Sequence, residues 1–222
     1  MEMEYTRAFT YPRQDPAWVQ KWAIAGAVSL VPVAGQLLTA GYGVEIARRV
    51  IADELHALPE WGNFGDHLRK GLGALVISLV YFAPLILVNL CVAVPVGIFS
   101  LVQANNGGGM GEAAGVVGAC LGVLAVAYSL LAGMLLMAAL GRYAATDQIG
   151  AALDVGAVLQ QVRAKPGLYL VVLSVSGLSL FGLSLIGVIG CFVGAFWGAA
   201  YAQFAQAHLI GQAQRFMKAA GR

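Results

Sequence analysis

Between Pro166 and Gln214 the chain runs forty-nine residues without one Asp, Glu, Lys or Arg. As a single helix that stretch would measure roughly 73 Å at about 1.5 Å per residue. A bilayer core is only about 30 Å thick and takes about 20 residues per crossing. The stretch therefore predicts two crossings joined by a tight turn. Glycines at Gly182, Gly187 and Gly190 supply the turn, which puts the spans over 167–184 and 187–208.

The same logic recurs along the chain. Charge-free runs cover 22–44, 71–111 and 113–141, with short charged loops between them. Only 11% of residues are charged, against roughly 25% in soluble domains. At 222 residues the chain has room for one membrane domain and no ordinary soluble one. A net charge of +2 gives no reason to expect nucleic acid as a partner. Residues 1–21 mix three basic with three acidic groups, so no cleavable signal peptide is expected there. The expected fold is all-α: a polytopic bundle with transmembrane helices over 71–102, 113–141, 167–184 and 187–208.

The first run, 22–44, has Pro32 and Gly35 at its middle, followed by Gln36. Proline removes a backbone donor and clashes one turn back, so a break is predicted there. The element is expected to be either a re-entrant hairpin with both ends on one side or a fifth span. Asp15-Pro16 reads as a helix start. Trp18, Trp22 and Trp61 read as anchors at headgroup depth. Pro84 and Pro95 predict bends in the long second run, and Asn105 to Gly109 a flexible loop. An amphipathic helix is expected over 146–164, capped by Thr146-Asp147, with Val155, Val158, Leu159 and Val162 on one stripe and Asp154 and Gln161 off it.

Positive charge orients the bundle. Lys and Arg number four in 45–70, none in 103–112, three in 142–165 and three after 214. Positive residues mark the cytoplasmic side, so 45–70, 142–165 and the C-terminus are expected in the cytoplasm. Residues 1–21 carry three more, which favours the hairpin and a cytoplasmic N-terminus.

Glycines at helical spacing predict close helix packing, because lipid offers no hydrophobic drive between helices. Gly111, Gly115, Gly118 and Gly122 lie on the third run, and Gly190, Gly194 and Gly198 on the last. Chemistry is harder to find. Charges at membrane depth usually mark ion or substrate paths, and the four runs hold none. Gln36, Asn89 and Gln203 remain as polar groups at depth, with interhelical hydrogen bonds as the expected use. Glu54, His56, Glu60, Asp66 and His67 share a loop but no metal-ligand spacing. His208 reads as a helix-end residue, and Cys91, Cys120 and Cys191 as buried thiols. No catalytic residue, metal or cofactor is expected.

Several short motifs stand together: Tyr11-Pro12, Asp15-Pro16-x-Trp18, Pro32-x-x-Gly35, Gly41-Tyr42 with Arg48, Leu58-Pro59-Glu60-Trp61, Gly71, and Tyr81-x-x-Pro84, with Ala207 to Gln212 in the tail. As a set they resemble the polytopic membrane proteins of the family of domains of unknown function numbered 4013. The resemblance implies an integral protein of the cytoplasmic membrane and carries over no activity or site residue. The expected role is non-enzymatic: a structural or accessory subunit of a homo-oligomer or larger membrane complex, in contact with the lipid bilayer. A channel or carrier for a small weakly polar solute or lipid is the alternative, with Pro32 to Gln36, Pro84 and Pro95 as moving parts. Membrane shaping by the first hairpin is a third reading.

Overall fold

The computed structural model describes residues 5–54, 58–105, 112–190 and 194–220. They form ten α-helices and no strand: α1 (Tyr5–Thr10), α2 (Trp18–Ser29), α3 (Ala34–Ile51), α4 (Phe64–Val88), α5 (Val94–Asn105), α6 (Glu112–Thr146), α7 (Ile149–Leu153), α8 (Val155–Ala164), α9 (Pro166–Gly190) and α10 (Gly194–Ala220). A 3-10 turn over Tyr11–Gln14 follows α1, and a π-helical segment over Asn89–Ala93 joins α4 to α5. The chain divides into two compact units, one of residues 1–77 and 134–222, the other of residues 78–133.

In the first unit α10 is the centre, packed by α9, α3, α2 and α1. Two faces of this helix are apolar at helical spacing. Ala200, Phe204 and Ala207 join Tyr42, Ile46, Val50 and Trp61 in one core, while Ala205, Leu209 and Ala213 join Ala8 and Val172 in another. A helix buried on two sides needs small residues to admit its neighbours, and α10 has them. Gly198 faces the Leu183 carbonyl, Gly194 faces Gly187, and Gly211 faces Val50 and Ala47. A β-carbon at Gly198 would land on that carbonyl. Glycine thus sets the α9–α10 separation.

The expected turn between spans is displaced. α9 continues through 185–187 to Gly190, and Gly187 is a packing position within it rather than a corner. Glycine breaks helices in water, but against a neighbouring helix it serves close approach. Gly190 is helical, with surroundings outside the described residues, and 191–193 are likewise outside them.

The break in the first run is present. α2 ends at Ser29 and α3 begins at Ala34. Between them the Ala34 N–H donates to the Pro32 carbonyl at 2.7 Å. This closes a three-residue γ-turn on Val33, whose φ is 62° and ψ −65°. Gly35 then lies so close to the Val28 carbonyl that no side chain fits. Leu30, Val31 and Val33 are exposed at this tip.

The 146–164 segment is two helices rather than one. Asp147 has a positive φ of 56°, which ends α6. Asp154 is the N-cap of α8, accepting from the Ala157 N–H at 3.0 Å. Val158 and Val162 are buried while Val155 is 47% exposed. Gln161 is not a solvated group, since its amide donates to the Tyr169 hydroxyl and to Gln214 Oε1 at 2.7 Å.

The second unit holds the end of α4, the π-helical segment, α5 and the start of α6. Pro84 sits inside α4. The π-helical segment follows from Pro95: proline has no N–H to give the carbonyl four residues back, and its ring crowds it. The Val94 N–H bonds instead to the Asn89 carbonyl, five back. Tyr128 donates to the Tyr81 carbonyl at 2.8 Å. Cys91 and Cys120 are exposed, not buried as expected; Cys191 lies outside the described residues.

Among the described residues three stretches are long and apolar enough to cross a membrane: Phe64–Phe99, Gly118–Thr146 and Pro166–Val188. α10 is not among them. Gln203, Gln206, His208 and Gln212 dilute its apolar character.

Candidate functional site

The segment Leu58-Pro59-Glu60-Trp61 has no regular structure, so its backbone needs partners from elsewhere. The Asp15 carboxylate accepts from the Leu58 N–H at 2.8 Å and from the Ala17 N–H at 2.7 Å. Lys21 Nζ donates to the Leu58 carbonyl at 2.8 Å and to Asp15 at 2.9 Å, and meets Glu60 Oε1 at 2.6 Å. Three acceptors fill the three donors of an ammonium. The Tyr42 hydroxyl donates to the Pro59 carbonyl at 2.8 Å, and His67 Nε2 meets the Glu60 carbonyl at 3.0 Å. Trp61 Nε1 donates to the Lys21 carbonyl at 3.0 Å. A turn-like loop is thus held by Asp15 and by side chains of three helices, α2, α3 and α4.

Asp15 and Lys21 are both buried. Burial alone would raise the Asp15 carboxyl, but hydrogen bonds from Lys21, Ala17 and Leu58 outweigh it and hold the group below its ordinary value. Burial likewise opposes the Lys21 charge, and Glu60 and Asp15 together hold its pKa above the usual lysine range. The arrangement is a closed ionic clamp with no open coordination position and no nucleophile.

Trp61 is not an interfacial anchor as expected. It is 5% exposed and stacks on Tyr42, centroids 4.2 Å apart and planes 4° apart. An indole locked between a phenol and a backbone carbonyl has no face left for headgroups. His208 is no helix end either. It is fully buried mid-α10 against Tyr11, ring centroids 4.5 Å apart, and its Nδ1 has no partner among the described residues.

A second ionic group lies at the start of α4, and a separate pair ties α10 to Asp53. Lys70 bridges Glu45 at 2.5 Å and Asp66 at 2.6 Å. Arg69 joins Asp66 to Asp147, and Arg215 bonds Asp53 at 2.5 Å. Among the described residues no group of three or more His, Cys, Asp or Glu could hold a metal ion. His56 lies outside those residues, as does Gly111; of Gly115 only the helix is described.

The other sequence candidates part company. Gln36 bonds the Ser29 carbonyl at 3.4 Å and Asn89 the Leu85 carbonyl at 2.9 Å, both local backbone. Gly118 and Gly122 have open space where a side chain would be, unlike Gly194 and Gly198. What the sequence did not indicate is a cleft of about 630 Å³ between the end of α9, the start of α10 and the α2 region. Half-buried Trp18 and Trp22 line it with Trp197, Tyr201, Leu183 and Ile186, and Arg13 lies on its border.

Comparison with known proteins places one match. The family model described as a protein of unknown function (DUF4013) matches residues 24–193. No curated protein and no solved structure matches the chain.

Proposed function

We propose, for a chain that belongs to the DUF4013 family of proteins of unknown function, a non-enzymatic role exercised by packing in the membrane. It is a structural or accessory subunit of a homo-oligomer or larger membrane complex. One observation carries the reading: Gly118 and Gly122, one helical turn apart on α6, face open space. They lie in a span whose apolar window is only 28% buried within the chain. Small residues at this spacing let a second helix approach closely. The first unit supports it too, since its buried charged groups, Asp15, Lys21 and Lys70, are engaged in ion pairs rather than turned to a substrate.

The topology that goes with this role has α10 as a fourth crossing and the α2–α3 hairpin entering from the cytoplasmic side. Both termini are then cytoplasmic, in the cell membrane. The carrier reading is weaker, because Gln36 and Asn89 are spent on local backbone. The exposed tip at Leu30, Val31 and Val33 favours membrane shaping as a second reading. Liposome deformation that persists in a Val31→Asp, Val33→Asp variant would remove it.

Size in mild detergent tests the main reading. Wild type should run as a discrete assembly, and Gly118→Leu with Gly122→Leu should run as a smaller, folded species. A monomeric wild type, or equal sizes, would overturn it. For topology, Tyr5→Cys in a cysteine-free background should resist an impermeant reagent in intact cells.

A further inference from the structure

We infer that the cleft between α2, α9 and α10 holds an acyl chain of one anionic phospholipid, with Arg13 paired to its phosphate. The inference rests on membrane insertion and not on the packing role. The walls are aromatic, and two of their polar edges are already engaged. Trp22 Nε1 donates to the Trp197 carbonyl at 2.9 Å, and the Tyr201 hydroxyl donates to the Phe9 carbonyl at 2.5 Å. What remains facing the cleft is ring faces and the aliphatic chains of Leu183 and Ile186. Such a lining suits an apolar chain better than a polar solute, and its volume of about 630 Å³ lies within the ~300–1,000 Å³ range of ligand pockets.

Charge narrows the occupant. Arg13 is the one ionisable residue on the border, it is exposed, and it has no carboxylate partner among the described residues. A guanidinium fork fits phosphate through two parallel hydrogen bonds. An apolar slot with one cation at its rim is complementary to an amphiphile with an anionic head. Tryptophan and tyrosine around it suit the depth where lipid heads meet tails.

Three of the four tryptophans border the cleft and Trp61 does not, so indole fluorescence reads it directly. The full chain would be reconstituted in phosphatidylcholine vesicles containing either bromine-labelled phosphatidylglycerol or bromine-labelled phosphatidylcholine at equal amounts. Phosphatidylglycerol should quench several-fold more effectively. Arg13→Gln should remove that preference, Arg13→Lys should keep part of it, and Ile186→Trp, which fills the slot, should reduce quenching by both lipids. Equal quenching of wild type by the two lipids, or a preference unchanged in folded Arg13→Gln, would overturn the assignment. Quenching by both lipids left undiminished in Ile186→Trp would overturn it too, because the lipid would then lie elsewhere. The detergent-size test of assembly can fail without altering any of these results.

Discussion

The two units hold themselves together by opposite means. In the first, a loop without regular structure is fixed by Asp15, Lys21, Tyr42 and His67, and helices touch through glycine. In the second, Leu87, Leu90, Ile98, Phe99, Val123 and Leu124 are all exposed, and one side chain to backbone bond, Tyr128 to Tyr81, joins its helices among those described. The first unit is specified by its own side chains. The second leaves its apolar side chains open, and under the proposed role lipid or another subunit covers them. In such surroundings exposed leucine is no defect, because hydrocarbon is the solvent.

The largest break in this comparison should come from Asp15→Ala. It leaves Lys21 buried with one acceptor fewer and frees the Leu58 N–H, and removing one partner of a buried pair costs about 3–5 kcal/mol. Thermal unfolding in mild detergent should show a large fall, whereas Glu60→Ala, whose side chain is 80% exposed, should show little. Next comes Gly198→Leu, where the Leu183 carbonyl leaves no room. Overpacking costs about 1–3 kcal/mol or more, and Gly118→Leu should leave monomer stability unchanged by the same measurement. Equal effects at the two glycines would erase the distinction between the units.

Acidity sharpens the contrast. Asp15 has a folded pKa below its ordinary 3.8, so its stabilisation is present above pH 3.8 and is lost as pH falls through the depressed value. Lys21 is raised above 10.5, so its contribution is present below pH 10.5 and is lost as pH rises through the folded value. Unfolding followed against pH should show a plateau bounded on both sides, and Asp15→Asn should flatten the acid edge. Among the substitutions expected to weaken the first unit, the smallest effect is at Asp154→Ala, the exposed N-cap of α8, at about 1 kcal/mol.

Much of this was legible from chemistry that acts locally. Proline cannot donate, so Pro32 announced the break, whereas at Pro95 a bend was expected and a π-helical segment precedes it. Absence of charge marked the apolar helices. What escaped acts at a distance. Asp15 looked like a helix cap, but the N-cap of α2 is Ala17 with no side-chain bond, and Asp15 reaches Leu58, forty-three positions away. Trp61 in a Pro-Glu-Trp-Gly setting gives the same local signal whether it meets headgroups or stacks on Tyr42. Glycine is ambiguous in the same way, being a corner when free and a contact when packed, which misplaced the turn at 185–187. The cleft was invisible because its walls come from residues more than 150 positions apart.

The γ-turn at Val33 has a consequence for engineering. A β-branched residue at positive φ is held about 1–3 kcal/mol above its relaxed geometry, and the neighbouring packing must outweigh that. Glycine would relieve the load while costing about 0.4–1 kcal/mol in chain freedom. Val33→Gly should therefore make the protein harder to melt, and by the same relief should let the two arms of the hairpin swing more freely about their corner.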